Sequence, residues 1–143
     1  MITTNLNSLT LAEFQGKNHP ELHCRATFPL VEALGTKNST LVYFELKSGN
    51  SLGRHTDSEE EVLLILDGEV EVTVGEEQDR LAKNEIALVP KMAPHNVRNV
   101  GAGTAKVLGF FGSKNIVATF DAPWLPADSN IVDTAQVFAK EAE

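Results

Sequence analysis

The chain has little of what would place it in several large functional classes. It has a single cysteine, Cys24, so no intramolecular disulfide can form and a reducing compartment fits best. Cations are scarce. Twelve Lys and Arg against twenty Asp and Glu leave a net charge of −8, with no basic patch, so neither nucleic acid nor an anionic membrane is expected as a partner. Long apolar runs are missing too, and the longest, residues 62–66, is far too short to cross a bilayer. The N-terminus carries no cation before Lys17 and no apolar stretch of leader-peptide length, so a cytoplasmic location is expected. What remains is 143 residues, 42% apolar, enough for one domain with one core spanning 1–143.

The middle of the chain is patterned as strands. Val70, Val72 and Val74 alternate with Glu69, Glu71 and Thr73, the period of a strand with one wet face. Asp67-Gly68 separates this segment from the apolar run 62–66 and reads as a hairpin turn. Further strands are predicted at 40–47, 85–89, 95–100 and 106–111, separated by turn residues at 48–50, 75–77, 83–84, 90–94 and 101–103. Many short strands at this spacing predict an all-β sandwich or barrel, with its core at about 35–115. Helix is expected only at the ends. Thr10 with Glu13 can form a capping box over one turn. Beyond "DAPWLPADSN", the helical spacing of Ile131, Ala135 and Phe138 predicts a short helix within about 128–142.

The segment "GNSLGRHTDSEEEVLLILDG", residues 49–68, sets a histidine and several carboxylates against the most apolar run in the chain. It reads as a charged loop, a binding surface or a metal site. His55 and Asp57 are two apart and share one face of a strand. After a turn through 58–60, Glu61 can open the next strand with its carboxylate towards the same point, while Leu63 and Ile65 line the interior behind it. A carboxylate buried among leucines costs several kcal/mol unless it is paired or coordinated. A divalent transition metal meets that need, with ligands at about 2.0–2.2 Å. Glu59 and Glu60 are read as solvated turn charges.

The spacings resemble the cupin family. Its first signature is Gly, five residues, His, one residue, His, three residues, Glu, six residues, Gly. Gly49, His55, Glu61 and Gly68 occupy their places, and Asp57 replaces the second His. In the second signature Pro90, His95 and Asn99 match, while Asn84 and Met92 stand at the two glycine places. Asparagine tolerates the left-handed backbone a turn glycine supplies. Methionine tolerates it less well, so the turn at Met92 is expected to depart from the family's geometry and its side chain to reach the pocket mouth.

The resemblance implies a quercetinase-like monocupin, a double-stranded β-helix (jelly-roll) barrel with short terminal helices and a metal inside. His55, Asp57, Glu61 and His95 are its candidate ligands, with Asp57 either bound directly or holding a ligand histidine from behind. Two histidines with carboxylates favour iron or manganese, with nickel and zinc as alternatives. The activity implied first is a metal-dependent dioxygenase or other oxidoreductase on a small organic substrate, with Glu61 or Asp57 as general base. A metal- and ligand-binding sensor or carrier, and a metal-free isomerase-like or structural barrel, are the alternatives. A homodimer is implied as well, with the segment before Gly35 a candidate for exchange between subunits.

Other features have plainer readings. "HPELH" (19–23) lacks the metalloprotease order and carries Pro20, so it is read as a loop leading into a strand. "GAGTAK" (101–106) has Lys106 where a dinucleotide fingerprint needs glycine, and is read as a hairpin turn. Cys24 is read as a buried small residue and Phe110, Phe111 and Phe120 as core. Trp124, between Pro123 and Pro126, covers either a barrel mouth or a dimer seam.

Overall fold

The structure, a computed structural model, describes residues 1–137. Twelve strands follow in order: β1 (Ala12–Gly16), β2 (His19–Leu30), β3 (Thr40–Leu46), β4 (His55–Asp57), β5 (Glu61–Asp67), β6 (Glu69–Val74), β7 (Glu77–Ala82), β8 (Ile86–Val89), β9 (His95–Asn99), β10 (Ala105–Phe111), β11 (Val117–Leu125) and β12 (Ser129–Asp133). All pairings between named strands are antiparallel. The ladder runs β7-β6-β9-β4-β11-β1-β2-β3-β10-β5-β8, with β12 added beside β11. It curls into a nearly closed all-β barrel, the jelly-roll expected from the strand pattern.

Period-two alternation decides which side chains fill the barrel. Leu63 and Ile65 of β5, Val70 and Val72 of β6, Val97 of β9 and Val107 of β10 are buried inside it. Asp67-Gly68 is a turn, but the hairpin reading fails. β5 pairs with β10 and β8, whereas β6 pairs with β7 and β9, so the chain crosses there from one half of the barrel to the other. Gly68 has φ +84°, and a Cβ on it would stand 2.8 Å from the Ala105 Cα. It therefore meets both a conformational and a spatial demand that only glycine satisfies. The "GAGTAK" hairpin fails for the same reason, because β9 and β10 lie in different halves. Asn99 pins that second crossing. Its buried amide donates to the Leu46 and Gly103 carbonyls at 2.8 and 2.7 Å and accepts from the Gly101 N–H at 2.9 Å.

The ends depart from expectation. Thr10 and Glu13 form no helical turn: Glu13 lies in β1 opposite Arg25, and the only N-terminal turn is a 3-10 turn at Leu6–Ser8 capped by Asn5. "HPELH" is strand from His19 onward rather than loop. Residues 12–30, placed before the predicted barrel core, supply two barrel strands. Ile131 lies in β12 opposite Thr119, so the predicted helix shrinks to Thr134–Val137, and Phe138 falls outside the described residues. Pairing with β11 overrode a four-residue periodicity too short to hold a helix alone. Phe110 is no core residue; it points outward from β10 and is 44% exposed.

Candidate metal centre

The ladder brings the four sequence candidates to one place. His55 opens β4 and His95 opens β9, and the two are direct cross-strand partners. Asp57 closes β4, and Glu61 opens β5 opposite Phe111 and Val89. All four are buried. One ligand atom each from His55, Asp57 and His95 lies within 4.8 Å of the other two. Glu61 stands beside them, its Oε1 3.5 Å from His95 Nε2.

Both imidazoles are oriented by backbone carbonyls. His55 Nδ1 lies 2.8 Å from the Gly53 carbonyl and His95 Nδ1 2.9 Å from that of Ala93. A carbonyl only accepts, so each Nδ1 carries the proton and donates, and each Nε2 is left with a lone pair towards the interior. His95 Nε2 and Asp57 Oδ2 approach to 3.0 Å, yet both are buried without an aligned hydrogen bond. A lone-pair nitrogen that close to a carboxylate oxygen is repulsive unless a proton or a cation lies between them. The donor set therefore fits a divalent transition metal, and a metal would take the place of the proton.

The electrostatics of the metal-free protein describe that proton. Burial opposes a charge on His95, but Asp57 and Glu61 outweigh it and raise its pKa to about 10. Burial, then the neighbouring His95, holds His55 down to about 4, so this imidazole is neutral. Burial pushes the Glu61 carboxyl up to about 7.

Both glycine places of the second signature keep a left-handed backbone, Met92 with φ +61° in the loop before β9 and Asn84 with φ +73° in the turn between β7 and β8. The expected departure at Met92 is thus corrected: its N–H donates to the Asp57 carbonyl at 2.9 Å, tying the loop that delivers His95 to the strand that carries Asp57. Its side chain is 54% exposed and is not part of the pocket wall.

Above the cluster lies a cavity of about 170 Å³ with an almost wholly apolar wall. Phe120 stacks on the His55 ring at 4.5 Å and 19°, and Trp124 meets Phe120 edge-on at 5.7 Å. Phe111 and Phe120 are thus pocket wall as well as packing, and Trp124 lines the cavity from inside the core. Cys24 also lines it, with burial pushing its thiol up to about 12, so it stays protonated and inert.

The sequence reading missed one residue, Gly109. It is buried in the middle of β10, and a Cβ there would collide with Glu61 Oε2 and stand 2.7 Å from Val42 Cγ1. The signal was available, because a lone glycine inside the apolar strand "KVLGFF" marks a close approach.

Residues 42–111 match a family model described as a cupin domain. Among solved structures, a proposed sugar phosphate isomerase from Acidithiobacillus ferrooxidans is similar with a TM-score of 0.66 at 18% identity, over 96% of this chain and 94% of that one. A proposed oxalate decarboxylase from Thermotoga maritima gives 0.66 at 18% identity, over 78% and 99%. Lactobacillus farciminis oxalate decarboxylase gives 0.66 at 16% identity, over 76% of this chain and 32% of that one, so the chain spans about a third of its length. At these identities the likeness is one of fold. No curated protein matches the sequence.

Proposed function

This chain is a cupin-domain protein, and on that footing we propose that it is a metal-dependent enzyme of the dioxygenase type acting on a small, largely apolar molecule. One observation carries the reading: inward-facing imidazole nitrogens and buried carboxylates converge at the floor of an apolar cavity. His55, Asp57 and His95 would hold the metal, iron or manganese by the donor set, with Glu61 beside them as a further ligand or proton acceptor. The metal, when bound, supplies the chemistry that lets dioxygen react with an enol or phenol.

The chain's own residues do the rest. The Gly53 and Ala93 carbonyls hold the two rings in one tautomer. The Glu61 carboxylate, with a pKa near neutrality in the metal-free protein, is suited to accept the acidic proton of such a substrate. Phe120 and Trp124 present flat apolar surfaces and exclude water.

The wall also argues about substrate class. Its titratable residues are Cys24 and the four of the cluster, with no Lys or Arg among the described lining residues. Oxalate or a sugar phosphate, the molecules named for the structural neighbours, would enter as an anion with no cationic side chain to receive it. A cavity of about 150 Å³ holds one benzene ring. One ring, or a short branched chain bearing an enolic or phenolic oxygen, suits the space of about 170 Å³ here.

The test is oxygen uptake by iron- and manganese-loaded protein with β-diketones, enediols and catechols, beside His95→Ala. Uptake that depends on substrate and is lost in the variant supports the reading. Stoichiometric binding without uptake refutes it in favour of a carrier, and absence of metal after reconstitution refutes the metal centre itself.

A further inference from the structure

Each residue of the cluster has a cross-strand partner, and the partners differ in size. β11 lies antiparallel to β4 with Phe120 opposite His55 and Ala118 opposite Asp57. β10 sets Phe111 opposite Glu61, and β6 sets Val74 opposite His95. Directly opposed side chains stand about 4.5–5.5 Å apart at Cβ. Phe111, Phe120 and Ala118 line the cavity, so aromatic rings flank Glu61 and His55 while a single methyl group flanks Asp57. β11 otherwise sends large groups to the wall, Phe120 and Trp124, with Ile116 just before the strand. Two other alanines line the cavity, but away from the cluster. Ala26 lies on β2, which β11 and β1 separate from β4, and Ala127 is exposed in the turn between β11 and β12.

We propose that Ala118 is the specificity-determining residue of this cavity: the part of the substrate next to its reacting oxygen rests on the Ala118 methyl group, beside Asp57. This deepens the proposed function and rests on it for the class of substrate. A phenol or enol brings an O–H donor into a wall that is almost wholly apolar. The carboxylates and imidazole lone pairs of the cluster are acceptors there. Ser129 Oγ, the other side-chain oxygen among the described lining residues, is already bonded to the Ile131 backbone, accepting from its N–H at 3.1 Å and donating to its carbonyl at 3.3 Å. A buried hydroxyl left unpaired is costly, so the oxygen goes to the floor and the ring stands above it.

The register then assigns what each ring position meets. Substituents ortho to the oxygen lie level with the partners of the cluster, where Phe111 and Phe120 fill their places and Ala118 leaves room. A para substituent points away from the floor, towards the remote wall that includes Ala26. A cavity of about 150 Å³ holds one benzene ring, so the space of about 170 Å³ has little slack for an added methyl group. One methylene more or less in an apolar pocket changes recognition by about 10–200-fold.

Anaerobic titration calorimetry of the full chain with 2-methylphenol and 4-methylphenol tests it, on protein as purified and after manganese loading. The proteins are wild type, Ala118→Val, Ala118→Gly and the control Ala26→Val, and metal affinity is measured on the same samples by competition with a chelator. Ala118→Val is expected to bind 2-methylphenol at least about 10-fold more weakly than wild type. Its affinity for 4-methylphenol and for the metal should stay close to wild type, since Ala118 offers no ligand atom. Ala26→Val should reverse the order of the two isomers. Ala118→Gly should shift preference towards the ortho isomer, which decides the matter even where the valine variant does not fold. Equal loss of both isomers in Ala118→Val, the same pattern in Ala26→Val, an unshifted preference in Ala118→Gly, or lost metal affinity in a folded Ala118→Val each overturns the inference and leaves the proposed function standing. Wild type that binds neither isomer overturns the proposed substrate class and the inference with it.

Discussion

Replacing Gly109 by alanine adds one methyl group at the tightest point beside the metal cluster. The new Cβ would overlap Glu61 Oε2 on one side and press Val42 Cγ1, at 2.7 Å, on the other. Neither neighbour has an easy escape. Glu61 is 4% exposed and sits at the start of β5 against His95, and Val42 belongs to the adjoining strand. Inserting a methyl into a packed interior costs about 1–3 kcal/mol. For a chain of this length that is a fall in Tm of about 4–10 °C. The carboxylate that moves is also the one that flanks the proposed metal ligands, and disturbing such a neighbour of a bound metal weakens metal binding or activity by about 10–100-fold. Calorimetry of the metal-free protein measures the first effect, and competition with a fluorescent chelator measures the second. Gly103→Ala and Gly112→Ala are the controls, because nothing lies within 4 Å of a Cβ at either position. Gly109→Ala with the Tm and metal affinity of wild type would refute the packing argument. A lowered Tm with unchanged metal affinity would refute the placement of Glu61 at the centre.

Gly68→Ala and Gly75→Ala separate conformation from space. Both glycines have positive φ, +84° and +59°, but only the first has backbone within 3 Å of a Cβ. Urea unfolding should show a loss of about 1 kcal/mol for Gly75→Ala and at least about 2 kcal/mol more for Gly68→Ala; equal losses would contradict this. Asn99→Ala leaves the buried Leu46 carbonyl without its donor and should cost about 2–3 kcal/mol, a value that a shift below about 1 kcal/mol would exclude. The metal-free protein should also lose stability as pH rises. Glu61 and His95 have folded pKa values of about 7 and about 10, above their ordinary values of 4.5 and 6.5, so each holds more protons folded than unfolded. Their contribution is whole below the ordinary values and is lost as pH rises from 4.5 to 7 for Glu61 and from 6.5 to 10 for His95. His55, depressed to about 4, acts oppositely and loses its contribution as pH falls from 6.5 towards 4. Urea midpoints between pH 6 and 9 should therefore decline without metal while metal affinity climbs, since the metal displaces the same protons; a flat metal-free profile would count against the cluster.

That the candidate residues would converge was legible because the signal was arithmetic. A histidine and a carboxylate two apart share a strand face, and His55, Glu61 and His95 fall at spacings a known family uses. The strands were legible for the same local reason. Pairing partners were not. Asp67-Gly68 announces a turn but does not state whether the chain returns beside itself or crosses to another sheet, because that depends on β10 and β8, which arrive later in the chain. The same limit hid β12, where a cross-strand partner in β11 decided the backbone against its own weak periodicity. Phe110 was misread because aromatic character does not reveal which face of a strand it occupies until the neighbouring register is known.

The crossings carry a kinetic consequence. Since β5 does not fold back on β6, the contacts that make the centre join distant segments: His55 with His95, Asp57 with Ala118, and Glu61 with Phe111. A chain loop of forty residues must close before His95 meets His55, and that entropy is spent before the second imidazole can contribute. The unfolded chain keeps only His55, Asp57 and Glu61 near one another, without the second imidazole. A metal therefore finds its full donor set only after the folding barrier has been crossed. It should leave the folding rate almost unchanged and lengthen the lifetime of the folded state, acting on escape from the native barrel rather than on arrival at it.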